Sequence, residues 1–410
     1  MFKPLALIAA SNLSAPIIML VVTPLISRVY PVEVIGLYQW ALSLTLVFSL
    51  LFSLQINHSL LSSEDGVDLN NKAGRISLIM CYCAALVAIA TLFGRLVIVF
   101  DFWFYAKVYL ISLLMALNLV FSGLFARRKK YTAIASPALM KAVLISCVSV
   151  FLSFSPSVDS LILASVVSEL VVLVCVIRTS QLKFTQCQHD AKSLIAELRL
   201  NLNNIKFFLP SQIMSSLTNV MVMWSIKAVS LNELGLFGML LRVVASPLYA
   251  LGNALKSVFY NQLLEVKNKI LLVTSMSIGM HLLGLMFSSI YIACEFDFLK
   301  ILLGNEWREA DTYLPYFTMW IVSSVANIIP AEVFKHSNKQ SNIFIAEASA
   351  LLAKLVIVIS FMNFKISTNI LYGYPLFFYF INLSILMFYF YKLPSAIIML
   401  GSQRWTASDA

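Results

Sequence analysis

The sequence predicts an all-α polytopic membrane protein with about 12 transmembrane helices. Sixty per cent of its 410 residues are hydrophobic and 12% are charged, and the mean hydropathy is +0.88. These values lie far outside the range of water-soluble domains. The apolar runs are about 20 residues long, which is the length that a helix needs to cross hydrocarbon. They also lack the alternating ten-residue segments of a membrane β-barrel, so helices are predicted.

Apolar runs and the polar breaks between them place two sets of six helices. The predicted spans lie near residues 4–27, 35–60, 76–96, 103–125, 134–155 and 158–177, and then near 207–228, 233–262, 270–294, 312–333, 342–362 and 368–391. The first run ends at Arg28 and lacks a small-x-small cleavage site, so we interpret it as an uncleaved first helix.

The longest polar connection separates the two sets of helices. The predicted domains are an N-terminal six-helix lobe (1–178), a cytoplasmic inter-lobe linker (179–206), a C-terminal six-helix lobe (207–392) and a C-terminal tail (393–410). The second part of the linker has apolar residues at helical spacing, which predicts a helix along the inner membrane surface.

The basic residues of the connections predict the orientation, because loops rich in Lys and Arg stay in the cytoplasm. With both termini inside, 18 of the 29 Lys and Arg residues fall in inner segments and five fall outside or at the outer edge. We therefore expect a multi-pass protein with cytoplasmic termini. Inner loops that face anionic membrane lipids account for most of the basic pI of about 9.2, so no nucleic acid is needed as a partner.

The sequence offers no motif for metal, cofactor or nucleotide chemistry. Its six cysteines form no C-x-x-C pair, and its four histidines are scattered along the chain. A G-x-x-x-x-G-K-[ST] loop is also missing, which argues against direct ATP hydrolysis. We expect no metal and no cofactor, and we do not expect an enzyme.

A short pattern occurs twice in the chain, as RVYPVEVIGLY at residues 28–38 and KAVSLNELGLF at residues 227–237. In both, a basic residue (Arg28 or Lys227) is followed eight positions later by Gly, Leu and an aromatic residue. Each copy closes the first helix of a six-helix set and opens the second. The pattern predicts that the two basic residues lie at matching heights on opposite lobes and flank the outer mouth of one cleft.

A second match supports an internal repeat, because ASPALMK at residues 135–141 and ASALLAK at residues 348–354 lie in the fifth predicted helix of each set. A unit with six spans keeps its orientation when it is repeated. The two lobes are therefore predicted to be related by pseudo-two-fold symmetry along the membrane normal. Two such lobes leave a cleft that can open to either side, which is the architecture of an alternating-access transporter.

Several stretches closely resemble the bacterial O-antigen and polysaccharide flippases, the Wzx-type branch of the multidrug/oligosaccharidyl-lipid/polysaccharide exporter superfamily. These stretches are PLISRVYPVEVIGLYQWALSL, ARRKKY, SPLYALGNALKSVFYNQLLE and LLGNEWREADTYLPYFTMW. The resemblance implies twelve helices in two bundles. It also implies movement of an undecaprenyl-pyrophosphate-linked oligosaccharide, an O-antigen or related repeat unit in lipopolysaccharide biosynthesis, from the inner to the outer leaflet of the bacterial inner membrane.

Basic residues inside the predicted spans are the candidate substrate-binding residues, because each costs roughly 2.5–3.5 kcal/mol at the membrane centre. Arg242 lies too deep in the eighth predicted helix to reach headgroups easily, and Lys256 follows 14 residues later on nearly the same face. Pro247 between them is expected to kink this helix. Arg242, supported by Lys256 and by Arg28 or Lys227, is predicted to bind the substrate's phosphate groups. Arg95 and Lys107, near the outer surface, are expected only to snorkel.

Two further pairs are candidates for ion coupling or for structural ion pairs. Glu347 and Lys354 are seven residues apart on one helix and share a face. Lys141 and Glu169 are predicted at similar depths on consecutive helices. Either pair is compatible with coupling to protons or sodium ions.

Three functions stay open on the sequence. The leading hypothesis is the flippase, which could also assemble with a polysaccharide polymerase. An ion-coupled drug or small-molecule exporter of the same superfamily is the alternative, although an exporter of cationic drugs would be expected to have an acidic cavity. A membrane polysaccharide polymerase or acyltransferase is less favoured, because the longest loop is cytoplasmic and lacks a His/Asp/Arg cluster.

Overall fold

The computed structural model describes most of the chain, and within that part every regular element is helical. The described residues are 17–61, 68–95, 102–128, 131–180, 191–202, 204–250, 252, 268–294, 297–337, 339–363 and 370–408. The predicted all-α class is therefore confirmed.

We number the helices in chain order. The first eight are α1 (Ile17–Val29), α2 (Val32–Ser53), α3 (His58–Leu61), α4 (Leu69–Arg95), α5 (Phe102–Arg127), α6 (Tyr131–Phe151), α7 (Val158–Ser180) and α8 (Ala191–Leu200). The remaining seven are α9 (Leu209–Val229), α10 (Leu231–Ala250), α11 (Lys269–Cys294), α12 (Phe298–Leu303), α13 (Arg308–His336), α14 (Gln340–Asn363) and α15 (Ile370–Ser408).

Ten of the helices in the described part are long and apolar enough to cross a membrane, which makes the chain a multi-pass membrane protein. Two of the twelve predicted spans are not among these ten. Of the first, residues 4–16 lie outside the described residues and the rest forms α1. The other is α9, which has sufficient length but carries several polar residues in its first half, in the stretch SQIMSSLTN.

Several predicted helix ends differ from the structure; for example, α4 begins at Leu69 rather than near residue 76. The span predicted at residues 35–60 ends at Ser53, because Leu54 and Gln55 adopt the left-handed conformation with φ of 45° and 56°. The last helix was predicted to end near residue 391 but continues to Ser408. Leu393 and Ala396 are fully buried there, so packing extends the helix past Pro394.

The chain forms two compact units, which we describe separately. The C-terminal unit contains residues 20–37 and the described residues from Thr218 onward. The N-terminal unit contains residues 17–19 and the described residues from 38 to 217. The predicted domain boundaries at 178/179, 206/207 and 392/393 stay a prediction.

The core of the N-terminal unit is built from α2, α4, α5 and α7. Phe52, Ile76, Phe121 and Val176 are among its buried residues, and all are at most 5% exposed. The predicted helix in the second part of the linker is present as α8, and its Leu194 and Leu198 pack against the same core.

The core of the C-terminal unit lies along α13, which packs extensively against α11 and α15. Aromatic rings fill one section of it: Phe237 contacts Phe317 edge-on at 5.3 Å between centroids, and Trp320 contacts Phe378 at 5.3 Å. Such edge-to-face pairs add stability beyond the area that they bury.

The two glycines of the repeated pattern bring α2 and α10 into backbone contact within the C-terminal unit. A Cβ atom added to Gly36 would lie 2.5 Å from the backbone nitrogen of Gly235, and one added to Gly235 would lie 2.1 Å from the carbonyl oxygen of Val32. Small residues allow this close approach of helices in membranes. The repeat therefore marks a direct helix crossing, which the sequence did not predict.

This crossing predicts that Gly235→Ala destabilises the protein. The added methyl group would meet backbone atoms that cannot move without separating the helices, and overpacking of this kind costs about 1–3 kcal/mol or more. Gly279→Ala is the matched control, because no heavy atom lies within 4 Å of its Cβ position on α11. Thermal unfolding in detergent should show a lower Tm for Gly235→Ala alone, and equal Tm values for both variants would contradict the crossing.

Candidate functional site

Arg242 is the candidate phosphate-binding residue, and it lies in the interior of the C-terminal unit. It is 8% exposed and lies eleven residues after the start of α10, which is about 16 Å along the helix axis. A guanidinium at this depth cannot reach the surface as easily as a cation near a helix end. The structure therefore places a permanent positive charge inside a membrane-spanning helix.

The backbone around Arg242 departs from regular α-helix. Residues Leu241–Ala245 form a π-helical turn, and the N–H of Ser246 donates to the carbonyl of Leu241. Pro247 follows and has no N–H to offer the carbonyl of Val243. Turns of this kind occur frequently at functional sites, so the local geometry agrees with the predicted irregularity at Pro247.

Lys256, the predicted partner of Arg242, lies outside the described residues. Its role stays a prediction, as does the shared helix face on which that prediction rests.

Arg28 is exposed at the end of α1 and lines a polar pocket of about 420 Å³ in the C-terminal unit. The other lining residues with polar side chains are Tyr30, Glu33, Asn232 and Glu306. Two carboxylates beside one guanidinium give this pocket a net negative charge when all are ionised, which opposes binding of a phosphate. The phosphate role predicted for Arg28 gains no support from these neighbours.

Lys227 lies in the last turn of α9, is partly buried and belongs to the same C-terminal unit as Arg28. The prediction that these two residues lie on opposite lobes is therefore wrong. It precedes the start of α10 as Arg28 precedes the start of α2. The equivalent positions Pro31 and Ser230 both begin helices: the carbonyl of Pro31 accepts from Val34 and Ile35, and the Ser230 hydroxyl accepts from the N–H of Glu233 at 3.3 Å. Proline and serine are both favoured at helix starts, which gives the repeated pattern a local structural cause.

Lys141 and Glu169 form a direct ion pair between α6 and α7 in the N-terminal unit. Asn118 of α5 donates to the same carboxylate at 2.7 Å. The Glu169 side chain is 3% exposed, so the ammonium and the amide together compensate a buried negative charge. This geometry favours the structural interpretation of the pair over ion coupling.

Glu347 and Lys354 lie on α14 and interact electrostatically. Lys354 is 9% exposed, and its ammonium lies 5.3 Å from the centre of the Phe378 ring. Tyr249 and Tyr389 lie within electrostatic range of Glu347. One ammonium group and two phenols therefore lie close enough to influence this carboxyl group electrostatically.

Asp311 is a structural residue that the sequence analysis missed. Its buried carboxylate accepts from the backbone N–H groups of Leu299 and Lys300 at 2.7 and 2.9 Å, and from the Tyr291 hydroxyl at 2.5 Å. It therefore fixes the start of α12 to α11 and α13. Asp311 lies in the stretch LLGNEWREADTYLPYFTMW, and nothing in that stretch specified these partners.

Trp307 packs inside the protein, where it is fully buried. Its indole N–H donates to the carbonyl of Ser27 at 3.3 Å, and the Ser27 hydroxyl donates to the carbonyl of Leu303 at 3.1 Å. These bonds attach the end of α1 to the α12 segment. The indole can be buried here because its N–H finds a backbone partner inside the protein.

The basic residues near Glu197 also have protein partners. Glu197 on α8 is buried and lies 3.6 Å from the ammonium of Lys72 and 3.8 Å from the guanidinium of Arg75. Arg128, in the ARRKKY stretch, donates to the carbonyl of Ser180 at 3.1 Å. Some of the basic residues that were predicted to face the cytoplasm therefore form contacts that stabilise the N-terminal unit.

Comparison with solved structures shows the fold. The MATE multidrug transporter DinF-BH aligns with a TM-score of 0.63 at 15% identity, covering 96% of each chain. A mutant of the Vibrio cholerae MATE transporter VcmN aligns with a TM-score of 0.62 at 12% identity, covering 97% of each chain. An outward-facing MATE family transporter of the MOP superfamily gives 0.58 at 14% identity, covering 97% of this chain and 98% of that one.

No protein-family model and no curated protein matches the sequence. The structural alignments nevertheless cover nearly the whole chain. They show that the chain has the fold of the MATE transporters, in which twelve helices form two lobes. The predicted fold class is confirmed. At 12–15% identity, the likeness extends to the fold alone.

The Asp311 geometry predicts that Asp311→Asn lowers stability by about 2 kcal/mol, because an amide cannot replace a carboxylate that accepts three bonds. Asp159→Asn is the control. Asp159 pairs with Lys107 at 2.6 Å but is 69% exposed, and exposed pairs contribute little. Thermal unfolding should separate the two variants, and a normal Tm for Asp311→Asn would show that α12 is held by other contacts.

Proposed function

We propose that the protein is a flippase that moves an undecaprenyl-pyrophosphate-linked oligosaccharide from the inner to the outer leaflet of the bacterial inner membrane. The burial of Arg242 is the observation that carries this proposal. The MATE fold is compatible with it, and so are the sequence stretches that resemble Wzx-type flippases.

An anionic headgroup explains why a cation is kept inside a spanning helix. A pyrophosphate carries at least two negative charges, and unpaired charges in a low-dielectric environment raise the barrier to crossing steeply. A guanidinium can donate to two phosphate oxygens at once and stays charged at any accessible pH. Arg242 would bind the pyrophosphate while the sugars cross in a polar environment.

Lys256 would support Arg242, and Lys227 would contribute a further positive charge. Arg28 is the weakest member of the predicted set, because Glu33 and Glu306 share its pocket. Coupling to protons or sodium ions would involve Glu347 and Lys354 rather than the Lys141–Glu169 pair. The orientation with cytoplasmic termini and the assembly with a polysaccharide polymerase belong to the same proposal.

The alternative is an ion-coupled exporter of drugs or other small molecules. The solved structures that align with the chain carry the names of multidrug transporters, so the comparisons support this alternative more directly than the flippase. The buried arginine favours an anionic substrate over a cationic one. The sign of the substrate's charge therefore separates the two functions.

The flippase proposal predicts that Arg242→Gln lowers surface polysaccharide about a hundredfold, which corresponds to the loss of roughly 3 kcal/mol of charged hydrogen bonding to phosphate. Arg242→Lys should recover part of the activity. Lysine keeps the positive charge but cannot donate two parallel hydrogen bonds to the phosphate as a guanidinium does. Surface polysaccharide can be measured in a deletion strain that expresses each variant, with membrane levels and Tm checked in parallel.

Lys107→Gln is the control for loss of a cation that is not buried. Lys107 pairs with the exposed Asp159, so its neutralisation should leave polysaccharide unchanged. Near-normal polysaccharide with Arg242→Gln at wild-type expression would rule out the proposed role.

A further inference from the structure

The polar pocket of about 420 Å³ lies where α1 ends and where α2, α10 and α13 begin. Charged and amide side chains from these helix ends, or from the turn before α13, line it: Arg28, Glu33, Asn232 and Glu306. Its volume lies within the range of about 300–1,000 Å³ that is typical of small-molecule sites. The pocket is therefore large enough to hold a small organic group.

The internal repeat contributes one residue from each of its copies to the polar pocket. Glu33 and Asn232 are equivalent, because each lies three positions before the glycine of its copy, Gly36 or Gly235. The backbone contact at these glycines brings the starts of α2 and α10 together. The pocket is therefore a consequence of the helix crossing that the repeat forms.

The backbone around the polar pocket is held in place by further contacts. The indole N–H of Trp307 donates to the carbonyl of Ser27, and the Ser27 hydroxyl donates to the carbonyl of Leu303. These bonds fix the segment that carries Glu306 to the segment that carries Arg28. The pocket is therefore preformed, which reduces the ordering cost of binding.

The polar pocket combines hydrogen-bond donors with acceptors. The Arg28 guanidinium and the Asn232 amide can donate, whereas the carboxylates of Glu33 and Glu306 accept. The carboxylates oppose an anion, and the guanidinium opposes a cation. A hydroxyl group both donates and accepts, so a neutral ligand with several hydroxyl groups is complementary to the whole set.

Three tyrosines form an aromatic surface at the same end of the C-terminal unit. The ring centroids of Tyr313 and Tyr372 are 4.6 Å apart, and those of Tyr316 and Tyr372 are 5.3 Å apart. All three residues are partly exposed, so a ligand can pack on them. An aromatic ring offers an apolar face to the C–H groups of a sugar ring, and the phenol adds a polar group at its edge.

The aromatic surface adjoins the polar pocket along α13. Glu309, Tyr313 and Tyr316 follow Glu306 by three, seven and ten residues, which is the spacing of one helical face. Glu309 and Glu233, the latter at the start of α10, both lie within electrostatic range of Tyr313. The polar pocket and the tyrosines therefore form one continuous surface.

We propose that the polar pocket and the three tyrosines bind the sugar part of the lipid-linked oligosaccharide. The inference rests on the proposed flippase function, and it gives the sugars a site separate from Arg242. Arg28 then contacts hydroxyl groups rather than phosphate. In the predicted orientation this end of the unit faces outward, which is the side at which the sugars arrive.

Binding of a free oligosaccharide tests this site. The probe is the oligosaccharide that mild acid releases from the strain's undecaprenyl-pyrophosphate-linked intermediates, with a fluorophore at its reducing end. Its Kd for the full-length protein in phosphatidylcholine nanodiscs is measured by fluorescence anisotropy. Glu306→Gln should raise the Kd about tenfold, because a hydrogen bond to a carboxylate becomes one to a neutral amide.

Asp159→Asn is the matched control, because it neutralises an exposed carboxylate of the N-terminal unit. Its Kd should equal that of the wild-type protein. Glu306 is also exposed, so both variants should keep the wild-type Tm. An unchanged Kd for Glu306→Gln would overturn the proposal.

Tyr372 tests the aromatic part of the site. Tyr372→Leu should raise the Kd about fivefold, whereas Tyr372→Phe should not, because it keeps the face of the ring. Wild-type binding by Tyr372→Leu would exclude the tyrosines from the site.

Competition identifies the chemistry of the occupant. Excess unlabelled oligosaccharide should displace the probe, and inorganic pyrophosphate or tetraphenylphosphonium at the same concentration should not. Displacement by pyrophosphate would show an anion site, and displacement by tetraphenylphosphonium would show a cation site. Either result would overturn the proposal.

Failure of this inference can be told apart from failure of the flippase function. Loss of surface polysaccharide on deletion, together with no binding of the free oligosaccharide, would overturn the sugar site alone. Binding that Glu306→Gln weakens, in a protein whose deletion leaves polysaccharide unchanged, would support the sugar site and contradict the flippase function.

Discussion

A charge inside hydrocarbon costs several kcal/mol unless a partner compensates it, and this constraint organises the interior of the protein. Glu169 is compensated by Lys141 and Asn118, and the carboxylate of Asp311 accepts from two backbone N–H groups and a hydroxyl. In these cases the partners lie in the protein itself and act structurally. Arg242 is a buried cation on an irregular turn of α10, and we propose that it also binds the substrate's phosphates.

The sequence was sufficient for the fold class and for most spans, because the length of an apolar run is set by the membrane. Helix ends were less predictable, since they depend on local backbone conformation and on packing. The φ values of Leu54 and Gln55 end α2 early, and the burial of Leu393 extends α15. Neither property is encoded in hydropathy.

The candidate site was predicted in part. The depth of Arg242 followed from its position in the apolar run, but the contact between Gly36 and Gly235 did not, because a repeat indicates equivalence rather than contact. Asp311 was missed since its partners are backbone groups on another helix.

Reconstitution into proteoliposomes tests the central claim most directly, because the two candidate functions differ in the charge of their substrate. The purified protein is compared for movement of an undecaprenyl-pyrophosphate-linked oligosaccharide between leaflets and for efflux of a cationic dye, with Arg242→Gln as the matched variant. Our account predicts that the lipid-linked oligosaccharide crosses with the wild-type protein, that Arg242→Gln stops it, and that the dye is not exported. Dye export without lipid movement would contradict the account and establish the exporter.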